Sequence, residues 1–113
     1  MKFLVAGLAA AAILSAGDSA SQVRKGRLAM GRDLYRENCA VCHDIERDKA
    51  HSRKLGPSLN HLFKNDTLPM SHAKPSRQYV EVRIKFGGSL MPAFAKRLTP
   101  DEISALLEYI DSK

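Results

Sequence analysis

The clearest pattern of apolar positions lies near the C-terminus. Residues three and four apart share one face of an α-helix, and after Thr99 that face is apolar at Ile103, Leu106, Leu107 and Ile110. Thr99 can cap this helix, Pro100 suits its first position, and Glu102 completes a capping box. The sequence therefore predicts a capped, amphipathic terminal helix.

A second helical pattern runs from Ser21, a suitable N-cap, to about Asn38. Good helix formers fill this stretch, and apolar or small residues recur at three- and four-residue spacing, at Leu28, Gly31, Leu34 and Tyr35. The predicted helix leads directly into a pair of cysteines.

The segment between these helices carries weaker patterns. Residues 44–55 are charged and aperiodic and end at Gly56-Pro57, which predicts a surface loop. A short helical turn is predicted from Leu59 to Phe63. Residues 65–75 are predicted to be irregular because Pro69 and Pro75 interrupt them.

The stretch from Ser76 to Phe86 allows two interpretations. Ser76 could cap a helix, whereas apolar residues alternate with polar ones, as is typical of a strand, at Val80, Val82, Ile84 and Phe86. The alternation by itself favours the strand. Gly87-Gly88 ends either element.

The N-terminus has the pattern of a secretory signal peptide: Lys2, then an apolar stretch of twelve residues from Phe3 to Leu14, then small residues. Cleavage is predicted after Gly17, with Ser19 as second choice and residue 20 as the outer limit. The apolar stretch is shorter than the roughly 20 residues that a spanning helix needs. We therefore expect a signal peptide at residues 1–17, one domain at residues 18–113, and no stable membrane insertion after cleavage.

The chain is basic, with a formal net charge of +6. Removing residues 1–17 takes away Lys2 and no acidic residue, which leaves +5 on 96 residues. The Lys and Arg residues are scattered with little aromatic interleaving, so no nucleic-acid binding is predicted. They fit an ordinary solvated surface or a protein partner with acidic patches, because net charge steers encounters between proteins.

A small core is also expected, because aromatic residues make up only 6% of the chain and Trp is absent. A large prosthetic group would supply much of the missing core.

The string Cys39-Ala40-Val41-Cys42-His43 has the spacing of a covalent haem attachment site. Each thiol can add to one haem vinyl group, and the histidine can bind the iron as an axial ligand.

Three other kinds of site compete for these cysteines. A thioredoxin-like redox pair would begin a helix in a βαβ context, whereas these cysteines follow a helix. A zinc site needs about four ligands, and His51, His61 and His72 form no close pair. A disulfide, common in exported proteins, would be strained across two residues. Haem attachment uses both thiols and His43, so one haem c per chain is the preferred interpretation.

Around this motif the chain resembles the class I c-type cytochromes in four separated segments. That family places a glycine and an aromatic ring eight and four residues before the first cysteine, at a helix crossing whose partner positions lie on the terminal helix. The matching residues here are Gly31 and Tyr35, with Leu106 and Tyr109 as the partners. The other two segments are Gly56-Pro57-Ser58-Leu59 and Met91-Pro92-Ala93-Phe94.

The resemblance implies an all-α cytochrome c fold, with three to five short helices around one haem c, and makes Ser76–Phe86 helical. It also implies the iron ligands. The Pro57 carbonyl accepts a hydrogen bond from the free ring nitrogen of His43, and Leu59 belongs to the same cofactor-binding segment. Met91 is the implied sixth ligand, and the alternatives are Met70, His61 and His72.

The carboxylates of a haem need hydrogen-bond donors or positive charges when they are buried. Tyr79 and Arg83, four residues apart on the implied third helix, are the preferred candidates. The other candidates are His61, His72, Arg53 and Lys54.

The resemblance implies a periplasmic electron carrier, not an enzyme, that works as a monomer or as a subunit of a redox complex. Both axial positions of the iron stay filled, and redox proteins with acidic docking patches are the expected partners. Two alternatives remain open. The chain could be the haem subunit of a periplasmic oxidoreductase complex, such as one that oxidises sulfur compounds. If Met91 does not stay bound, a peroxidase-like or gas-binding protein is expected.

Overall fold

A computed structural model of the chain describes residues 15–47, 51–69 and 71–113. Most of the predicted signal peptide, residues 1–14, and the alternative ligand Met70 lie outside the described residues. The regular elements are α1 (Ser15–Asn38), α2 (Arg77–Phe86) and α3 (Pro100–Asp111), with a 3-10 turn at Leu62–Lys64. Since these described ranges contain helices and no strand, the predicted all-α class is confirmed.

The ends of the helices follow from local hydrogen bonds. At the start of α3, the Thr99 hydroxyl accepts a hydrogen bond from the Glu102 amide at 3.1 Å, and the Glu102 carboxylate accepts one from the Thr99 amide at 3.3 Å. The predicted capping box is therefore confirmed. The Ser76 hydroxyl caps α2 by accepting from the Tyr79 amide at 3.1 Å.

The helix α1 begins earlier than the sequence pattern predicts. Ser21 lies inside the helix rather than at its N-cap, because α1 starts at Ser15. No proline interrupts residues 15–20, so nothing in this stretch prevents the helix from including them.

The core is built where α1 crosses α3. A methyl group added at Gly31 would lie 2.7 Å from Tyr109 Cβ and 2.9 Å from the Ala105 carbonyl carbon, so only glycine permits this approach. The rings of Tyr35 and Tyr109 pack beside it with their centroids 5.9 Å apart. The predicted crossing is confirmed, with Leu106 fully buried behind it.

An ion-pair cluster closes the outer edge of the same crossing. Arg27 Nε donates to both carboxylate oxygens of Glu108, at 3.0 and 3.1 Å, and its Nη1 donates to Asp101 at 2.8 Å. One side chain of α1 therefore binds two carboxylates of α3. Sequence reasoning missed this cluster, because its members are 74 and 81 residues apart.

The helix α2 places its alternating apolar residues on two faces. Val80 and Ile84, four residues apart, are buried, whereas Val82 is 49% exposed and Phe86 is 71% exposed. The strand that the alternation favours is wrong, and the helix that the resemblance implies is confirmed. Among the residues described, no helix combines the length and the apolar character needed to cross a membrane.

Candidate functional site

The Cys39–His43 motif forms a turn that continues from the end of α1. The Cys39 amide donates to the Tyr35 carbonyl at 2.8 Å, and the His43 amide donates to the Cys39 carbonyl at 2.9 Å. These helix-like bonds hold both cysteines and the histidine in one short segment. The two cysteines are not joined in a disulfide, and burial raises the pKa of the Cys39 thiol to about 11.

The imidazole of His43 is oriented by the Gly56-Pro57 loop. Its Nδ1 lies 2.7 Å from the Pro57 carbonyl oxygen, so the predicted contact is present. A carbonyl only accepts hydrogen bonds, so Nδ1 carries the proton and Nε2 keeps a lone pair that can bind a metal ion.

Gly56 lies directly against the His43 ring. A methyl group there would lie 2.6 Å from Nδ1 and 2.9 Å from the Cys42 carbonyl oxygen. The Gly56 amide also donates to that carbonyl at 2.6 Å. Because the imidazole ring and the Cys42 carbonyl fill the space beside Gly56, any side chain at residue 56 would displace the imidazole.

Two further side chains hold the main chain of the motif. The Tyr35 hydroxyl donates to the His43 carbonyl at 2.6 Å, and burial is the main reason that the pKa of Tyr35 rises to about 12. Lys54 Nζ donates to the Ala40 carbonyl, lies 3.4 Å from the His43 carbonyl oxygen, and pairs with Asp44 at 3.5 Å. Lys54 is one of the predicted candidate partners for a haem carboxylate, whereas in the structure its ammonium group contacts the main chain of the Cys39–His43 motif.

The segment after Pro57 is tied to the loop that follows the motif. The Leu59 amide donates to the Asp44 carbonyl at 2.7 Å, and the Asn60 side chain donates to the Ile45 carbonyl at 2.9 Å. Ser58 is buried and its hydroxyl donates to the Arg47 carbonyl. Leu59 is buried in the core, and its contact with a cofactor stays a prediction.

Met91 lies in a tight turn after α2. It is half-buried and packs against the core, and its carbonyl accepts a hydrogen bond from the Gly88 amide at 2.9 Å. The segment that follows is fixed to α2, because the Phe94 amide donates to the Ile84 carbonyl at 3.0 Å and the Ala95 amide donates to the Lys85 carbonyl at 3.1 Å.

Tyr79 and Arg83 lie next to each other on α2, where Tyr79 is half-buried against the core and Arg83 is exposed. Arg83 Nη2 donates to the Tyr79 hydroxyl at 2.9 Å, and the guanidinium carbon lies 5.7 Å from the centre of the tyrosine ring. Hydrogen bonds with Ser71 and then Arg83 lower the pKa of Tyr79. The structure brings these two residues together, and whether they bind a haem carboxylate stays a prediction.

The two alternative histidine ligands are both exposed. His61 and His72 have left-handed backbone angles, with φ of 52° and 54°. His61 Nδ1 lies 3.4 Å from Lys64 Nζ. Within the described residues, no group of three or more His, Cys, Asp or Glu side chains is arranged to hold a metal ion.

Asn65 is a candidate cofactor-binding residue that the sequence analysis did not identify. Its Nδ2 is buried without an acceptor among the described residues, a costly state for an amide unless a bound group accepts its hydrogen bond. No pattern in the sequence marks it, because it simply follows the 3-10 turn.

These residues fit a covalently attached haem. Two cysteines without a disulfide stand at the required spacing, His43 offers Nε2, and Gly56 leaves room for the ring. Large apolar side chains near the motif and near Met91 are also exposed and could cover an apolar macrocycle: Val41, Leu55, Phe86 and Leu90.

Comparisons with known proteins agree with this fit. The family model described as cytochrome c oxidase, cbb3-type, subunit III matches residues 26–110. Cytochrome c6 of Gloeothece citriformis is 30% identical over 113 residues, which cover 100% of this chain and 96% of that protein. Cytochrome c6 of Diacronema lutheri is 28% identical over 88 residues, or 78% of this chain and 98% of that protein.

A third relative, cytochrome c6 of Bryopsis maxima, is 28% identical over 85 residues, or 75% of this chain and 90% of that protein. No solved structure matches the chain significantly. The family match covers well over half of the chain, and the helix crossing and motif geometry are those expected of the same family. The chain therefore belongs to the class I c-type cytochromes, which carry one covalently bound haem c and transfer electrons rather than act as enzymes.

Proposed function

We propose that this cytochrome is an exported electron carrier, with its haem attached through Cys39 and Cys42 and its iron bound by His43 and Met91. The hydrogen bond from His43 Nδ1 to the Pro57 carbonyl, at 2.7 Å, carries the proposal. It fixes the tautomer and the ring orientation and makes Nε2 a better ligand. The bound haem iron supplies one-electron oxidation and reduction.

The residues around the site determine what that iron can do. A Met91 thioether as sixth ligand favours reduced iron and raises the reduction potential. With His43 and Met91 both holding the iron, no coordination site would be left for a substrate. Leu59 belongs to the buried apolar core. Since an iron held in this way offers no place to a substrate, electron transfer is the favoured function.

Replacing Met91 with Ala tests the ligand set. We expect the sulfur-to-iron absorption at the red edge of the oxidised spectrum to disappear and the reduced protein to bind carbon monoxide. Met30→Ala is the matched control, since Met30 is also half-buried against the core but lies in α1. If Met91→Ala keeps both that absorption and the high reduction potential, Met91 is not the sixth ligand.

Export and partners are the further parts of the proposal. The N-terminal pattern supports a periplasmic location, and N-terminal sequencing of the secreted protein should then begin at Asp18. The net charge of +5 that remains after cleavage supports redox partners with acidic surfaces. Their association should weaken steeply as salt is raised, and a salt-independent affinity would contradict acidic docking patches.

The match to a family described as an oxidase subunit supports a second candidate, a haem subunit of an oxidoreductase complex. A stable complex purified from native extracts in one fixed stoichiometry would favour the subunit. Elution of the native protein as a monomer would favour the free carrier. Ready binding of carbon monoxide by the reduced wild-type protein would instead favour a peroxidase-like or gas-binding function.

A further inference from the structure

The guanidinium of Arg83 is bound on two sides. Its Nη2 donates to the Tyr79 hydroxyl at 2.9 Å, one helical turn earlier in α2. Its Nη1 donates to the Gly87 carbonyl at 3.2 Å, directly after α2 ends. One rigid, planar fork therefore joins the outer face of α2 to the start of the turn that leads to Met91.

The same guanidinium lies against the backbone of Gly88. A methyl group added at Gly88 would lie 2.6 Å from Arg83 Nη1, so the turn and the side chain are in contact. The Gly88 amide in turn donates to the Met91 carbonyl at 2.9 Å. A continuous series of contacts thus runs from Arg83 through Gly88 to Met91.

We infer that Arg83 is a positioning residue, whose guanidinium clamps the Gly87–Met91 turn to α2 and thereby keeps the Met91 sulfur on the haem iron. This role rests on the proposed function of Met91 as the sixth ligand. Main-chain bonds fix residues 94 and 95 to α2 after the turn. Before Met91, one main-chain bond ties the turn to α2, from the Gly87 amide to the Arg83 carbonyl at 2.8 Å. Gly87 and Gly88 have no side chains to add to it, and the Arg83 guanidinium supplies the further contacts.

Binding of imidazole to the oxidised, haem-loaded protein measures how easily Met91 leaves the iron. Arg83→Met keeps much of the side-chain volume but removes every donor, and we expect imidazole to bind about tenfold more tightly, because a charge-assisted hydrogen bond is lost. Arg83→Lys keeps the charge without the fork and should also bind imidazole more tightly than wild type.

Arg77→Met is the matched control. Arg77 is also an exposed arginine of α2, but it contacts Ser104 of α3 and not the turn. This control removes the same charge and should leave imidazole affinity at the wild-type value. Far-UV circular dichroism should show that all variants keep their helices, so that the affinity reports on the turn alone.

Two results would overturn the positioning role. Imidazole affinity of Arg83→Met within twofold of wild type would show that the turn does not need the clamp. A shifted reduction potential with unchanged imidazole affinity would instead make Arg83 a partner of a haem carboxylate. Met91→Ala distinguishes a failure of the ligand assignment from a failure of the positioning role. If Met91→Ala leaves imidazole binding unchanged, Met91 is not the sixth ligand. If Met91→Ala tightens imidazole binding but Arg83→Met does not, only the role of Arg83 is wrong.

Discussion

The approach of α1 to α3 at Gly31 can be tested by adding a single methyl group. In Gly31→Ala the new carbon would lie 2.7 Å from Tyr109 Cβ and 2.9 Å from the Ala105 carbonyl carbon. Ordinary carbon–carbon contacts are about 3.5–4.0 Å. Since part of the obstacle is the backbone of α3, no side-chain rotation relieves it, and the two helices must separate.

The magnitude follows from two opposing effects. Overpacking a core costs about 1–3 kcal/mol, and the backbone contact at Gly31 places this site near the upper end. Alanine is a better helix former than glycine by about 1 kcal/mol. We therefore expect Gly31→Ala to lower the free energy of unfolding by about 2 kcal/mol, the difference between these two effects.

Gly26→Ala is the control within the same helix. A methyl group at Gly26 would meet nothing within 4 Å, so this variant should be more stable than wild type by up to about 1 kcal/mol. Guanidinium chloride unfolding of the haem-loaded proteins, followed by far-UV circular dichroism, measures both values. If Gly31→Ala proved as stable as Gly26→Ala, the close crossing would be refuted.

Three other substitutions test the site and its support. Gly56→Ala should displace the His43 ring and lower the yield of haem-loaded protein; a normal yield with the wild-type reduction potential would contradict the contact. Tyr35→Phe removes the hydrogen bond to the His43 carbonyl and should cost about 1 kcal/mol in unfolding experiments, with no cost if that bond is unimportant. Thr99→Ala breaks the capping box and should cost about 1 kcal/mol, seen as faster amide exchange in the first turn of α3; unchanged exchange would contradict the cap.

How well each helix could be predicted depends on how local its signals are. The cap and the apolar face of α3 are encoded within twelve residues, so the pattern predicts the helix correctly. In α2 the alternation arises because Val80 and Ile84 face the core while Val82 and Phe86 lie on another side. A period of two therefore appears in a helix, and only the family resemblance identifies it.

The contacts of the candidate site also fall into those that the sequence could predict and those that it could not. The bond between His43 and Pro57 could be predicted, because both residues belong to short segments typical of the family. The contacts of Lys54 with the motif could not be predicted, because the path of residues 44–55 has no periodic signal. The contact of Arg83 with the Gly87–Met91 turn likewise depends on a side-chain direction that spacing alone does not determine.

The two proposed iron ligands are supported by different kinds of contact. His43 is oriented by main-chain atoms, the Pro57 carbonyl and the backbone of Gly56, and such contacts persist when neighbouring side chains change. The turn before Met91 has main-chain bonds at Gly87 and Gly88, but in our proposal it also needs the side chain of Arg83, which is exposed to solvent. One surface substitution on α2 could therefore release Met91 while His43 and both cysteines still held the haem, which would convert an electron carrier into a protein with an open iron position.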